Sequence, residues 1–509
     1  MSLDFRHRAR SSRMRPGCVV RHLLGVLLLS LCTVALAEPW IDAGDVRIRQ
    51  DLQLLADYDV IPEPSQTWPR SWPEVARAVE SASLSGLPTN VVVALARVRS
   101  AAVAASAPQS LDASATMAVA ARPRTLRTFE DTPREGAEVG LSVSRFSDDL
   151  AVRLSVAGVH EPDDGRRLRL DGSYAAMLLG NWIVSIGSID RWWGPGHDGS
   201  LILSSNARAI PMLSADRNYA DAFESPWLSW IGPWRISVGY GVLEGNRDIA
   251  HAHIVTFRGT ARPLESLEIG LARVAIWCGD NRPCNGQSFK DLLIGNESDV
   301  ENLDDNPGNQ LAELEFRWRA PRSLLPLAVY GSLVGEDSIS PSGTPDVKDY
   351  LPSRRIHLVG AETWGAIGSG SYRVHFEFAD TVCRFSVPDP DYGCAYEHFI
   401  YTDGYRYRGR VVGHSIDGDG RSYSLGGTFI DGFGDPWTVL VRSVELNIRN
   451  ESVGNTVASE PRKLYNFELT HRREVRVGEI ELGLGYDHVA EGSDDDRFRA
   501  QARFTFHFD

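Results

Sequence analysis

Between Asp190 and Arg208 the chain concentrates side chains that could do chemistry. Arg191, Trp192 and Trp193 precede Gly194-Pro195-Gly196, and His197 and Asp198 follow at once. Adjacent indoles on a fixed bend offer flat apolar faces. Sugar rings stack on such faces through their C–H surfaces, while Arg, His and Asp bond hydroxyls. Arg191, Trp192, Trp193, His197 and Asp198 are therefore the candidate polysaccharide contacts. The same residues could instead pack a loop into a lumen or join the aromatic belt of a membrane protein.

A second run tests for hydrolysis. His414-Ser415 stands before Asp417-Gly418-Asp419-Gly420-Arg421. Adjacent residues of a strand point to opposite faces, so His414 and Ser415 cannot form a base and nucleophile without a bulge; Ser422 or Ser424 would have to reach His414 across the turn. The Asp-Gly repeat lacks the further ligands of a calcium loop and reads as a tight turn. Cys278 with Cys284, and Cys383 with Cys394, lie in Gly-, Asp- and Asn-rich loops without zinc-site spacing, which after export predicts two small-loop disulfides. No catalytic group, cofactor or metal is expected.

What must position these residues begins with an export signal. Six arginines stand ahead of the apolar stretch Leu23–Leu36, and Ala35-Leu36-Ala37 offers a cleavage site, so residues 1–37 read as a signal peptide. Removing them takes away six arginines and one aspartate, moving the formal charge from −14 to −19. That argues against a nucleic-acid partner, and any anionic ligand would need a local basic patch.

Residues 38–112 carry helical patterns: Val46, Leu52 and Leu55 share a face, Ser71 caps a helix opening with Trp72 and Pro73, and Thr89 starts another through Val92, Leu95, Val98 and Ala102. This predicts a small periplasmic helical domain. From 113 to 509 the period changes to two. Leu150, Val152, Leu154 and Val156 oppose Arg153 and Ser155; Ile480, Leu482, Leu484 and Tyr486 oppose Glu479 and Glu481. The last segment alternates Phe498, Ala500, Ala502, Phe504, Phe506 and Phe508 with Arg497, Arg499, Gln501, Arg503, Thr505 and His507. One face suits lipid and the other a wet lumen, which predicts an all-β transmembrane barrel of roughly 18 to 20 antiparallel strands. No mature stretch of ~18 apolar residues offers a helical span.

Counting hairpins back from the last strand places Glu491–Asp496 and both cysteine loops outside the cell, and Pro263–Ser266, Gly365–Gly370 and Asp403-Gly404 at periplasmic turns. The 13 Trp, 15 Tyr and 18 Phe suit interfacial girdles. Lumen charges such as Arg499, Arg503, Glu479 and Glu481 fit an open diffusion channel or a cross-paired plug equally well.

At Asp190–Arg208 the chain resembles the Wzi capsule-assembly proteins of the Gram-negative outer membrane. Trp277-Cys278-Gly279 with Cys284, Pro307-Gly308-Asn309-Gln310-Leu311, Gly335-Glu336-Asp337, Arg408-Gly409-Arg410 with Gly413-His414-Ser415, and the segment Arg47–Ile61 carry the likeness along the mature chain. The resemblance implies an eighteen-strand outer-membrane barrel with a periplasmic helical bundle. It implies a lectin without catalysis that holds exported capsular or extracellular polysaccharide at the surface, among outer-membrane lipid and near export machinery. The hairpin count runs slightly above eighteen, and the excess is expected before residue 160. A porin-like channel is the alternative function, and an outer-membrane hydrolase the third.

Overall fold

Side chains that alternate along a strand go to opposite faces of a sheet, and in the computed structural model this alternation closes into an antiparallel barrel of eighteen strands. The structure describes residues 38–106, 111–147, 149–294, 308–336, 354–383, 394–449, 455–492 and 495–508; the expected signal peptide, residues 1–37, and Asp509 lie outside them. The strands are β1 Asp112–Ala121, β2 Ala137–Phe146, β3 Leu150–His160, β4 Tyr174–Leu179, β5 Trp182–Ser188, β6 Pro211–Arg217, β7 Trp234–Val242, β8 His253–Leu264 and β9 Leu267–Trp277. They continue with β10 Gly308–Arg319, β11 Leu327–Glu336, β12 Arg354–Ile367, β13 Gly370–Asp380, β14 Arg421–Ile430, β15 Pro436–Leu446, β16 Arg462–Val475, β17 Gly478–Glu491 and β18 Arg497–Phe508. Leu168–Arg169 pairs with β3 just ahead of β4 and extends that strand across a short interruption.

The seam joins the last strand to the first, with Ala500 opposite Ala121, Phe504 opposite Met117 and Phe508 opposite Ala113. Closure leaves the sheet no edge. On β17 the expected faces appear: Leu482, Leu484 and Tyr486 are exposed on the outer wall, while Glu481 is buried inside. The outer wall is apolar around the barrel, as lipid requires. Leu484→Arg, near the middle of its strand, is expected to lower stability by about 2–4 kcal/mol. Urea titration in lipid vesicles measures it, and a loss no larger than that of an exposed-loop arginine would mean that this face does not meet lipid.

Both ends of the barrel chain lie at the short-turn end, which faces the periplasm in barrels of this kind. Pro263–Ser266 and Gly368-Ser369 are turns at that end, and the two disulfides, Cys278–Cys284 and Cys383–Cys394, form in loops at the opposite end. Asp403-Gly404 corrects the count. It lies within the segment between β13 and β14, on the cysteine-loop side. Arg406–Tyr407 and Arg410–Val411 alternate like strands but pair only with each other, and Tyr396, Tyr405, Tyr407 and Val411 bury into the filling of the lumen. The surplus hairpin is this one, and it is not before residue 160.

Three helices precede β1: α1 Val46–Asp57, α2 Trp72–Ser81 and α3 Thr89–Ser106. Asp45 caps α1 by accepting from the backbone N–H of Arg47 and Ile48, and Ser71 caps α2 by accepting from Glu74. Leu52, Leu55, Val75, Val79, Val91, Leu95 and Val98 form their common core. That core does not stop at the helices. It continues into Trp192 and Phe129 and onto Ala328 and Trp364 of the wall, so the helices stopper the short-turn mouth.

Candidate functional site

Arginines and carboxylates of the inner wall and of the inserted segments pair to build the interior. Asp57, at the end of α1, accepts from Arg317 at 2.7 Å and Arg373 at 2.6 Å, two wall residues that also hold Glu362. Arg258 of β8 binds Glu315 and donates to Thr67 at 2.8 Å. Arg124, in the segment between β1 and β2, bridges Glu130 and Glu468, and Arg499 joins Glu468 at 2.9 Å. Arg503 meets Asp131 at 2.8 Å and Arg472 meets Glu481 at 3.0 Å. Buried charges are tolerated only when paired in this way, and the cross-pairing occupies much of the lumen, leaving a cavity of about 340 Å³ between Thr116, Ser142, Ser155, Arg134 and Arg503.

The five sugar-contact candidates all lie inside. Arg191 donates to Ser214 at 2.7 Å and faces Asp216 at 3.5 Å. Trp192 and Trp193 pair as a short strand with Thr67-Trp68 and have no exposed surface. Trp192 stands edge-on to Phe129, which stands edge-on to Trp68, and its Nε1 donates to the Gly196 carbonyl at 3.2 Å. Asp198 accepts from Arg442 at 2.7 Å and from Ser422 at 3.3 Å. His197 stacks on His375 at 4.3 Å, donates its backbone N–H to Glu377 and places Nε2 2.8 Å from Glu362. Burial and the Arg49 cation lower its pKa to about 4, so the imidazole is neutral. Arg191, Trp192, Trp193 and Asp198 are thus buried and His197 partly buried within the barrel. They lock the inserted segment to the wall because that segment folds inward, where indoles and paired charges satisfy a closed lumen.

A cavity of about 70 Å³ remains beside His197 and Asp198, between Arg49, Phe129, Arg373 and Thr438. It has room for a few waters and none for a diffusing solute. His414, Asp198 and Glu377 approach one another within metal-binding reach. Asp198 serves Arg442 and Ser422, Glu377 accepts from His197, Gly199 and Tyr330, and the Nε2 of His414 is buried without a partner. The Nδ1 of His414 accepts from Ile416, leaving the hydrogen on Nε2. No serine hydroxyl bonds His414 among the described residues, so the hydrolase arrangement is not assembled there. Asp417 is held by Arg406 and Thr456, as a turn anchor.

At the cysteine-loop end the described residues of 122–136, 161–173, 189–210, 243–252 and 394–420 meet over the lumen. Ser204 donates its N–H to Val412, Tyr396 donates to the Leu201 carbonyl, and Arg134 donates to the carbonyls of Ser205 and Asn206. These contacts knit the segments into one cover. Sequence reasoning missed Phe129, Arg124 and Arg134, because nothing in the local pattern of 122–136 tells an inward fold from an ordinary surface loop.

An apolar wall of eighteen strands, short turns at one end and a lumen filled by the chain's own segments define a plugged β-barrel of the outer membrane. The model of the capsule assembly protein Wzi family matches residues 110–492. An "uncharacterized 55.8 kDa protein in cps region" of Klebsiella pneumoniae is 31% identical over 430 residues, 84% of this chain and 81% of the relative. The chain belongs to the Wzi family. Among solved structures, Wzi of Escherichia coli, an outer-membrane protein involved in group 1 capsule assembly and described as a carbohydrate-binding β-barrel, matches with a TM-score of 0.79 at 27% identity. The match covers 92% of this chain and 99% of that one.

Proposed function

We propose that this protein binds an exported polysaccharide on the loop cover of its extracellular mouth and helps to attach or organise that polymer at the cell surface, as a lectin-like component of capsule assembly. The occupancy of the lumen by the chain's own inserted segments is the observation that supports the reading. A barrel whose interior is occupied by its own ion pairs has its loop cover, and not a pore, to offer to a large ligand. Family membership and the carbohydrate binding described for the E. coli relative support it. The chemistry assigned is recognition, with no bond made or broken. Outer-membrane lipid surrounds the wall, and contact with the export machinery would fall to the periplasmic end.

Purified, detergent-folded protein should bind polysaccharide from its own cells saturably and give no steady current in a planar bilayer. Steady open-pore conductance together with no binding to any surface-polymer fraction would replace this reading with the diffusion channel.

A further inference from the structure

The mature chain is strongly acidic, yet one pocket in the extracellular cover is lined by six arginines. Arg127 and Arg134 come from 122–136, Arg169 from 161–173, Arg208 from 189–210, and Arg408 and Arg410 from 381–420. Only Glu135, Asp163 and Asp164 line it with opposite charge. These carboxylates are unevenly shared. Arg169 takes Glu135 and lies 3.5 Å from Asp164, and Arg208 takes Asp164 together with Asp171 at 2.7 Å.

Three of the remaining four cations have only distant carboxylates, and the fourth, Arg408, lies 5.1 Å from the Tyr407 ring centre. Arg127 lies 3.7 Å from Asp131, Arg134 is 3.9 Å from Asp190, and Arg410 is 3.8 Å from Asp163. Their close contacts are backbone carbonyls: Thr132 for Arg127, Ser205 for Arg134 and Thr125 for Arg410. The Nε–H groups of Arg127, Arg169 and Arg408 are buried in the structure without an acceptor. Arg127 is only 3% exposed, and burial with the neighbouring Arg134 and Arg410 pushes its pKa well below the usual arginine value. Buried donors and crowded cations of this kind are costly unless an anion completes them. A guanidinium fork matches a carboxylate in shape and charge.

The geometry points to a subsite for the carboxylate of an acidic sugar residue in the exported polymer, bound among Arg127, Arg134, Arg408 and Arg410. The cavity measures about 30 Å³, which suits a carboxylate group and leaves the sugar ring outside, over the exposed Gly409 between Arg408 and Arg410. The pocket walls are loops that fold over the lumen, so the ligand is taken from the polymer above the barrel and not from lipid at its side. This inference rests on the polysaccharide-binding reading and specifies the chemistry of the ligand.

The test compares the polymer from the protein's own cells with the same polymer after its carboxyl groups are reduced to alcohols, each titrated against the full-length folded protein. Native polymer should bind, and reduction should weaken binding about tenfold or more, the worth of a charge-assisted hydrogen-bond pair. Arg408→Ala with Arg410→Ala, at the partly exposed tip of the hairpin, should weaken the native polymer by a similar factor and abolish the preference for it. Free glucuronate should compete with native polymer for the unaltered protein and glucose should not, which holds the test independent of how the variant folds. Equal binding of native and reduced polymer, or purified lipopolysaccharide competing where glucuronate fails, overturns the carboxylate subsite and leaves polysaccharide binding standing. Binding to neither polymer overturns both.

Discussion

Asp57→Ala is expected to free the N-terminal helices from the barrel mouth at a cost of about 3–5 kcal/mol, because it strips one carboxylate from a buried quartet. Asp57 is fully enclosed, and its two oxygens accept from Arg317 and Arg373. Glu362 is the second acceptor for both arginines. Two guanidinium groups against two carboxylates balance. Removing one carboxylate leaves an uncompensated cation where water has little access. Asp57→Asn keeps the shape and loses the charge, so an intermediate cost is expected. Urea titration read by protease cleavage within residues 38–106, with the barrel followed separately by its heat-modifiable migration, resolves the joint from the wall. A shift worth less than about 1 kcal/mol, the size of an ordinary substitution, would show that this quartet does not hold the stopper. The locks deeper in the lumen, Asp198 with Arg442 and Arg124 with Glu468, are untouched. The variant should therefore loosen the helices without opening a conducting path.

That separation between stopper and lumen locks was only partly legible in the sequence. A strand's period of two is written locally, so the outer and inner faces of Ile480–Tyr486 and the closing strand through Phe508 could be read directly, and the structure places them as expected. Helix caps and short-range disulfides are local too, and Ser71, Cys278–Cys284 and Cys383–Cys394 behaved accordingly. The direction in which a loop folds is not local. Asp198 finds its cation 244 positions away in Arg442, and Arg317 finds Asp57 260 positions away. No window of sequence reports such pairings. The same limit explains Asp403-Gly404: the alternation of Tyr405 to Val411 is real, but its apolar side meets the filled lumen and not lipid. It also explains why the arginine pocket was anticipated only as a need, a local basic patch in an acidic chain, since its lining is gathered from four loops spread between Arg127 and Arg410.

Trp192 turns the difference between a sugar platform and a packed core into a measurable contrast. Its indole has no exposed surface and stands edge-on to Phe129, whose other neighbours are Trp68 and the Arg49 guanidinium 4.2 Å from its ring centre. Trp192→Ala is expected to cost about 3–5 kcal/mol, because a large buried ring is removed from a contact set fixed on all sides. Near-ultraviolet circular dichroism during chemical unfolding reads that loss. Trp192→Met supplies the complementary arm. A flexible apolar side chain refills much of the space but has no aromatic face, so stability should recover most of the way and polysaccharide affinity should stay within about twofold of the parent protein. A sugar platform predicts the reverse, a stable Met variant that has lost its ligand, since stacking needs the ring and packing does not. The burial of Trp192 favours the first outcome: the indole pair anchors the 189–210 segment against Thr67-Trp68 inside the barrel.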